Sequence, residues 1–196
     1  MQKVLALAGS PRKRGNSDLL LDEVLKALTN QDVPTEKIYL CDLNIGGCIH
    51  CDYCYVHDKC SINDDMSVLY GKLRETNYLL FASPLFFLSM PSQAKAVIDR
   101  CQLFWSMKYI QHKKVAENTS PRRGIFIGVA GQKSRHLFDG IKATMKYVFD
   151  ALDMEYYDNF LVNNTDSKGE VTQMAEVLRE AHELGEKIAA EIKAQG

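Results

Sequence analysis

Four of the six cysteines fall within thirteen residues, as Cys48-x2-Cys51-x2-Cys54-x5-Cys60. Three thiolates at intervals of three, with a fourth close behind, can wrap one compact iron-sulfur cluster. Structural zinc more often takes two Cys-x-x-Cys knuckles set further apart, and free or redox-active thiols are the third reading. A second segment, Gly9-Ser10-Pro11-Arg12-Lys13-Arg14-Gly15-Asn16-Ser17, gathers two hydroxyls, an amide and three adjacent cations just ahead of a helical pattern. With the positive end of that helix, these groups suit a phosphate. The segment is not a Walker loop, because five residues separate Gly9 from Gly15 and Asn-Ser follows, and it contains no Gly-x-Gly-x-x-Gly. The alternative is a solvated basic turn ending in a helix cap. The third segment, Ser83-Pro84-Leu85-Phe86-Phe87-Leu88-Ser89-Met90-Pro91, offers flat apolar walls and backbone donors to a planar ring. Its aromatic residues could equally join the core or a subunit contact.

These segments need elements to hold them. Residues 3–8 read as a strand and Leu20, Leu21, Val24, Leu25 and Leu28 as the stripe of a helix. Residues 35–40 give a weaker strand, then comes the cysteine segment 41–64, then a short helix whose start Asp64-Asp65 can cap. Residues 78–82 form a continuous apolar strand, of the kind covered on both faces. Pro91 fits the first turn of a helix striped by Ala94, Val97, Ile98, Cys101 and Phe104, on which Lys95, Asp99 and Arg100 read as a surface charge set. A strand at 124–129 leads through Ala130-Gly131-Gln132-Lys133-Ser134, a weak ligand contact, to a helix at 137–152. A strand at 156–162 and a helix striped from Val171 to Ile192 complete the chain, and residues 106–122 carry no clear pattern. Five strands alternating with helices predict one α/β domain over 1–196, a doubly wound parallel sheet in the flavodoxin-like order 2-1-3-4-5 with a cysteine-rich loop after strand 2. The loops after strands one, three and four then meet at one edge of the sheet.

At 196 residues and 46% hydrophobic content the chain can bury a core without disulfide staples, so the cysteines are free for other chemistry. With 24 basic against 25 acidic residues it lacks the basic face that nucleic acid requires. The longest apolar run, 78–90, is interrupted by Ser83, Pro84 and Ser89 and is too short for a span of about 20 residues, so no membrane association is expected. The start shows no charged region, long apolar stretch and cleavage site in series, which predicts a cytoplasmic protein. Two matches to the glycosylation pattern, at Asn118-Thr119-Ser120 and Asn163-Asn164-Thr165, have no meaning there. His50 and His57 read as solvent-facing loop residues, Cys41 and Cys101 as small hydrophobes. No Ser-His-Asp or paired-carboxylate arrangement can be assigned.

The Gly-Ser-Pro-Arg turn followed by Gly15-Asn16-Ser17 resembles the phosphate loop of the NADPH-dependent FMN reductase and iron-sulfur flavoprotein family. The resemblance extends to Ser83-Pro84 with Met90-Pro91 and then Lys95 and Asp99-Arg100, and to the cysteine segment followed by Asp64-Asp65-Met66. It implies that Ser10, Arg12, Asn16 and Ser17, with Gly15, hold an FMN phosphate, and that Pro84, Leu85, Phe86, Phe87 and Gly131 border the flavin ring. Phe86 replaces the family's usual Tyr, which removes any hydroxyl contact made there. By the same resemblance Cys48, Cys51, Cys54 and Cys60 bind a [4Fe-4S] cluster, one that an aerobic preparation can lose. Expected partners are NAD(P)H, ferredoxin or another electron donor, and a small acceptor such as oxygen, peroxide or a quinone. The family implies a homodimer or homotetramer, with Phe104, Trp105 and Tyr109 at an interface or in the core. A cluster-free NAD(P)H-dependent FMN or quinone reductase and a flavodoxin-like carrier remain the alternatives.

Overall fold

Successive side chains of a strand face opposite sides, so a strand that is apolar throughout must be covered twice. Three such strands, β1 (Val4–Ala8), β3 (Tyr78–Pro84) and β4 (Arg123–Val129), form the middle of the sheet in the computed structural model, which describes residues 2–116, 120–134 and 136–195. Leu5, Leu7, Leu79, Phe81 and Phe126 enter one core, while Val4, Ala6, Leu80, Ala82, Ile125 and Ile127 enter the other. The first core is closed by α2 (Met66–Glu75), α3 (Ser92–Arg100), α4 (Gln102–Tyr109) and α5 (Asp139–Ala151). The second is closed by α1 (Asn16–Thr29) and α6 (Ala175–Ala194), which touch where a Cβ on Gly185 would lie 2.5 Å from the Val24 carbonyl. Half-buried β2 (Thr35–Tyr39) and β5 (Glu155–Val162) take the edges.

All strands pair in parallel, in the order β2-β1-β3-β4-β5. That is the flavodoxin-like order expected from the pattern. From β1 the chain winds towards β2 on one side, and from β3 onward on the other, so the loops leaving β1 and β3 diverge and open a crevice between them. Among the described residues no helix is long and apolar enough to cross a membrane.

Three local expectations are corrected. The single helix expected after Pro91 is two, because the Cys101 N–H is shared between the Val97 and Ile98 carbonyls at 3.2 and 3.0 Å and the chain turns there. The apolar stripe runs unbroken across this bend, with Cys101 and Phe104 both buried, which is why periodicity alone does not reveal it. The last helix begins at Ala175 rather than near Val171, which lies in a 3-10 turn, Glu170–Gln173. Arg100 is not a surface charge: Lys95 and Asp99 pair at 2.6 Å on the helix face, but the Arg100 side chain is only 1% exposed. Asn118 and Thr119 lie outside the described residues.

Candidate active site

The turn between β1 and α1 is shaped by close approach. Gly9 donates to the Ala82 carbonyl at 2.7 Å, and a Cβ there would meet that oxygen at 3.0 Å and the Ala94 Cβ at 3.1 Å. The Ser10 hydroxyl donates to the Arg12 carbonyl at 2.8 Å and accepts from the Arg12 N–H at 3.2 Å, so this side chain builds the turn. Asn16 likewise faces inward. Its amide donates to the Ser167 carbonyl at 2.8 Å and its oxygen accepts from Val171 N–H at 3.4 Å, tying α1 to the loop after β5. Gly15 caps α1 without a side chain, and among the described residues the N–H groups of Asn16, Ser17 and Asp18 and the Ser17 hydroxyl have no protein acceptor or donor. Unpartnered N–H groups at the start of a 14-residue helix favour an anion. Of the three cations, Lys13 is engaged by Asp42 at 2.6 Å and lies over the Tyr39 ring, whereas the exposed Arg12 guanidinium has no acidic partner among the described residues.

The loop after β3 is a tight two-residue hairpin. Phe86 and Ser89 exchange both backbone hydrogen bonds at 2.9 Å, and Phe87 and Leu88 between them take φ of 52° and 60°. Asn-Gly is the usual sequence for such a turn, and bulky residues there store strain. The strain displays Phe87 with its side chain fully exposed. Leu85, Phe87 and Leu88 form one wall of an open cavity of about 1080 Å³, counted to its mouth, whose other walls are Ala130, Gly131, Gln132 and Leu137 with Asp166. Gly131 lines this cavity, and its missing Cβ has a use there. A Cβ there would lie 2.7 Å from Asp166 Oδ1, so the glycine makes room for that carboxylate.

Cys48, Cys51, Cys54 and Cys60 line a single cavity, and none is in a disulfide. Among the described residues no three metal-binding side chains are gathered as a ligand set. Burial, and then the charges of Cys60, Cys48 and Cys51 when ionised, push the Cys54 thiol above its ordinary value. The Ser61 hydroxyl, 3.1 Å away, and the Tyr53 N–H hold Cys51 below it. Four cysteine sulfurs lining one cavity, none of them in a disulfide, are the donor type that a cationic cluster takes. His50 is exposed, and burial pushes the Cys101 thiol up to about 12, which suits a small hydrophobe rather than a ligand.

The segment is clasped from below. Arg100 Nη1 donates to Asp64 Oδ2 at 2.7 Å and to the Gly46 carbonyl at 3.0 Å, while Nη2 donates to Asp64 Oδ1 at 3.1 Å and to the Ile62 carbonyl at 3.3 Å. Asp64 in turn accepts from the Gly46 N–H at 3.0 Å. One fork thus holds both ends of the cysteine loop. Burial alone would raise the Asp64 carboxyl, but Arg100 and the N–H groups of Gly46 and Met66 outweigh it and keep the group below the usual aspartate range. From the other side, the Ser106 hydroxyl of α4 donates to the Cys54 carbonyl at 2.7 Å and the Gln111 amide, just past the end of that helix, donates to it at 2.8 Å.

The family profile of NADPH-dependent FMN reductase matches residues 2–154, most of the chain, including the loops after β1, β3 and β4 and the cysteine segment. The chain belongs to the NADPH-dependent FMN reductase family. Among its relatives, an iron-sulfur flavoprotein of Methanocaldococcus jannaschii is 37% identical over 98 residues, 50% of this chain and 51% of that protein. An iron-sulfur flavoprotein of Archaeoglobus fulgidus is 34% identical over 106 residues, 54% of each chain. The chain thus spans about half the length of the curated relatives it matches. Solved structures share the fold at low identity: an NAD(P)H:quinone oxidoreductase from Methanothermobacter marburgensis gives a TM-score of 0.69 at 16% identity over 95% of both chains. A flavodoxin from the domain Archaea gives 0.56 at 16% identity, covering 98% of this chain and 99% of that one.

In this FMN reductase family member, the residues that motif reading misses are those that hold the motifs still. Arg100 and Asp64 belong to two separately noticed motifs, 36 positions apart, and nothing in either motif says that they meet. The loop after β5 also escapes notice, although Ser167-Lys168-Gly169-Glu170 has the spacing of a capping box. Glu170 does accept from the N–H groups of Asp166 and Ser167, both at 2.9 Å, and this fixes Asp166 at the cavity wall.

Proposed function

We propose that this chain is an FMN-dependent oxidoreductase of the iron-sulfur flavoprotein type, with FMN across the loops after β1, β3 and β4 and a [4Fe-4S] cluster on Cys48, Cys51, Cys54 and Cys60. The observation that carries this reading is the first turn of α1. Three N–H groups and the Ser17 hydroxyl without protein partners, with Arg12 nearby, suit a phosphate beside a cavity with apolar walls. Bound FMN would accept a hydride or single electrons, and a cluster would move electrons one at a time. The protein's own part is placement. Asn16 locks the start of α1 against the loop after β5, and Ser10 holds the turn in which Arg12 sits. Leu85, Phe87 and Leu88 keep water from one face of the ring, and the Arg100–Asp64 clasp keeps four thiols on one cavity.

Electrons are proposed to come from NAD(P)H or from a ferredoxin-like donor and to leave to a small acceptor. Association as a dimer or tetramer would cover Trp105 and Tyr109, which are 36% and 44% exposed, whereas Phe104 is buried in the core. A cytoplasmic setting suits six free cysteines. A cluster-free reductase is the second reading, favoured by the Cys51 thiol being engaged by Ser61 and by the absence of a gathered ligand set among the described residues.

Visible spectra of anaerobically purified protein, with FMN, iron and acid-labile sulfide counted per chain, test both. Flavin with about four irons and sulfides supports the first reading; flavin alone supports the second; protein that takes up no FMN refutes both. Arg12→Ala is expected to weaken FMN binding by about 1.5 to 3 kcal/mol, the value of a charged hydrogen bond, and so by tenfold or more. Lys13→Ala, already engaged by Asp42, should stay within about threefold of wild type. Fluorescence titration of apo-protein measures both, and equal affinities would remove Arg12 from the site. Replacing Phe87-Leu88 by Asn-Gly is expected to raise the stability of the apo-protein by about 1 to 3 kcal/mol by relieving the turn, while weakening FMN. Thermal melts with and without FMN check this, and a variant less stable than wild type counts against stored strain.

A further inference from the structure

We propose that Asp166 sets the reduction potential of the flavin, as a fixed negative charge on the wall of the cavity between the β3 and β4 loops; this rests on the FMN reading above. It is the one ionisable residue among those lining that cavity in the described structure. Its position is determined without its carboxylate. The Thr165 N–H bonds to Ala130 O at 3.1 Å, the Asn164 N–H to Gln132 O at 3.2 Å, and the Asp166 N–H to Glu170 at 2.9 Å. Among the described residues the carboxylate oxygens accept no hydrogen bond and take part in no ion pair. Among the described residues nothing draws a bond from the charge, yet Gly131 gives up its Cβ volume to accommodate it.

A carboxylate at a cofactor wall acts on whatever charge arrives there. Two electrons added to FMN with one proton leave a net negative charge on the ring system, and two electrons with two protons leave none. At the short range of a ring bound against this wall, Asp166 disfavours the first product and makes the flavin harder to reduce. Its role is on the electronics of the bound ring, not on binding of the phosphate, which lies at α1.

The test is a reductive titration of FMN-loaded protein with dithionite against reference dyes at neutral pH, comparing wild type with Asp166→Asn, which keeps the side-chain shape. The expected result is an upward shift of the midpoint potential equal to about tenfold in the reduction equilibrium, about 30 mV for a two-electron couple, with oxidised FMN bound within about threefold of wild type. Asp166→Glu, which keeps the charge, should return most of that shift. Equal potentials in wild type and Asp166→Asn, with FMN bound to both, overturn the assignment while leaving the FMN reading intact. Wild-type protein that binds no FMN overturns both.

Discussion

Arg100→Met should lower the unfolding free energy by about 3 kcal/mol, the low end of what breaking a buried ion pair costs. The Arg100 and Asp64 side chains are 1% and 9% exposed, so removing the guanidinium leaves a carboxylate out of water with only the Gly46 and Met66 N–H groups to hold it. It also frees the Gly46 and Ile62 carbonyls at the two ends of the cysteine segment. The loss is read as a lower urea midpoint at unchanged slope and as faster reaction of Cys54 with a thiol reagent. Adding Asp64→Leu should recover part of it, because no buried charge then remains. Lysine at 100 restores the charge but not the fork and should recover less. Acid acts on the same pair. Since Asp64 is held below its ordinary value of 3.8, its contribution is complete above that pH and is lost as pH falls through the folded value. The wild type should show this acid limb and Arg100→Met should lack it. A variant within 1 kcal/mol of wild type would mean that the clasp contributes little.

Arg122→Met should cost as much or more, about 3 to 5 kcal/mol, at the other edge of the sheet. Arg122 is buried just before β4 and has no carboxylate partner among the described residues. Its Nε donates to the Thr76 carbonyl at 3.1 Å, and its two terminal nitrogens donate to the carbonyls of Leu152 and Leu73. Leu73 is in the last turn of α2 and Leu152 caps α5, so one cation satisfies the C-terminal ends of two helices. Burial pulls its pKa down to about 10, which still leaves it charged at neutral pH. Methionine fills the space and leaves three carbonyls without their donor. Chemical denaturation measures the loss, and FMN content per folded chain should stay at the wild-type value, because the site lies at the opposite ends of the strands. Loss of FMN at wild-type stability would contradict both halves of that expectation.

The sheet order was readable because β1, β3 and β4 are short, mostly apolar and separated by helical stripes, a pattern that fits few other arrangements. The turn between Gly9 and Gly15 and the cysteines were readable because their chemistry depends on local spacing. What spacing does not encode is pairing at a distance. Arg100 looks like the neighbour of Asp99 on one helix, and only packing shows that the helix turns one inward and leaves the other outside. Asn16 was expected to face a phosphate through its side chain, whereas its amide is engaged by Ser167 and Val171, about 150 residues on. The bend at Cys101 was hidden for the opposite reason: the same apolar period continues on both sides of it.

Helix α3 begins directly after Pro91, where the hairpin loop ends, and finishes on Arg100. Its nine residues make a strut about 13 Å long at about 1.5 Å per residue. One inserted residue would advance Arg100 by that rise and swing it about 100° around the axis, away from Asp64. Sequence drift along this strut is therefore free on its outer face, at Gln93 or Lys95, but its length is a gauge fixed at both ends, and the spacing between the β3 hairpin and the cysteine segment is set by counting residues.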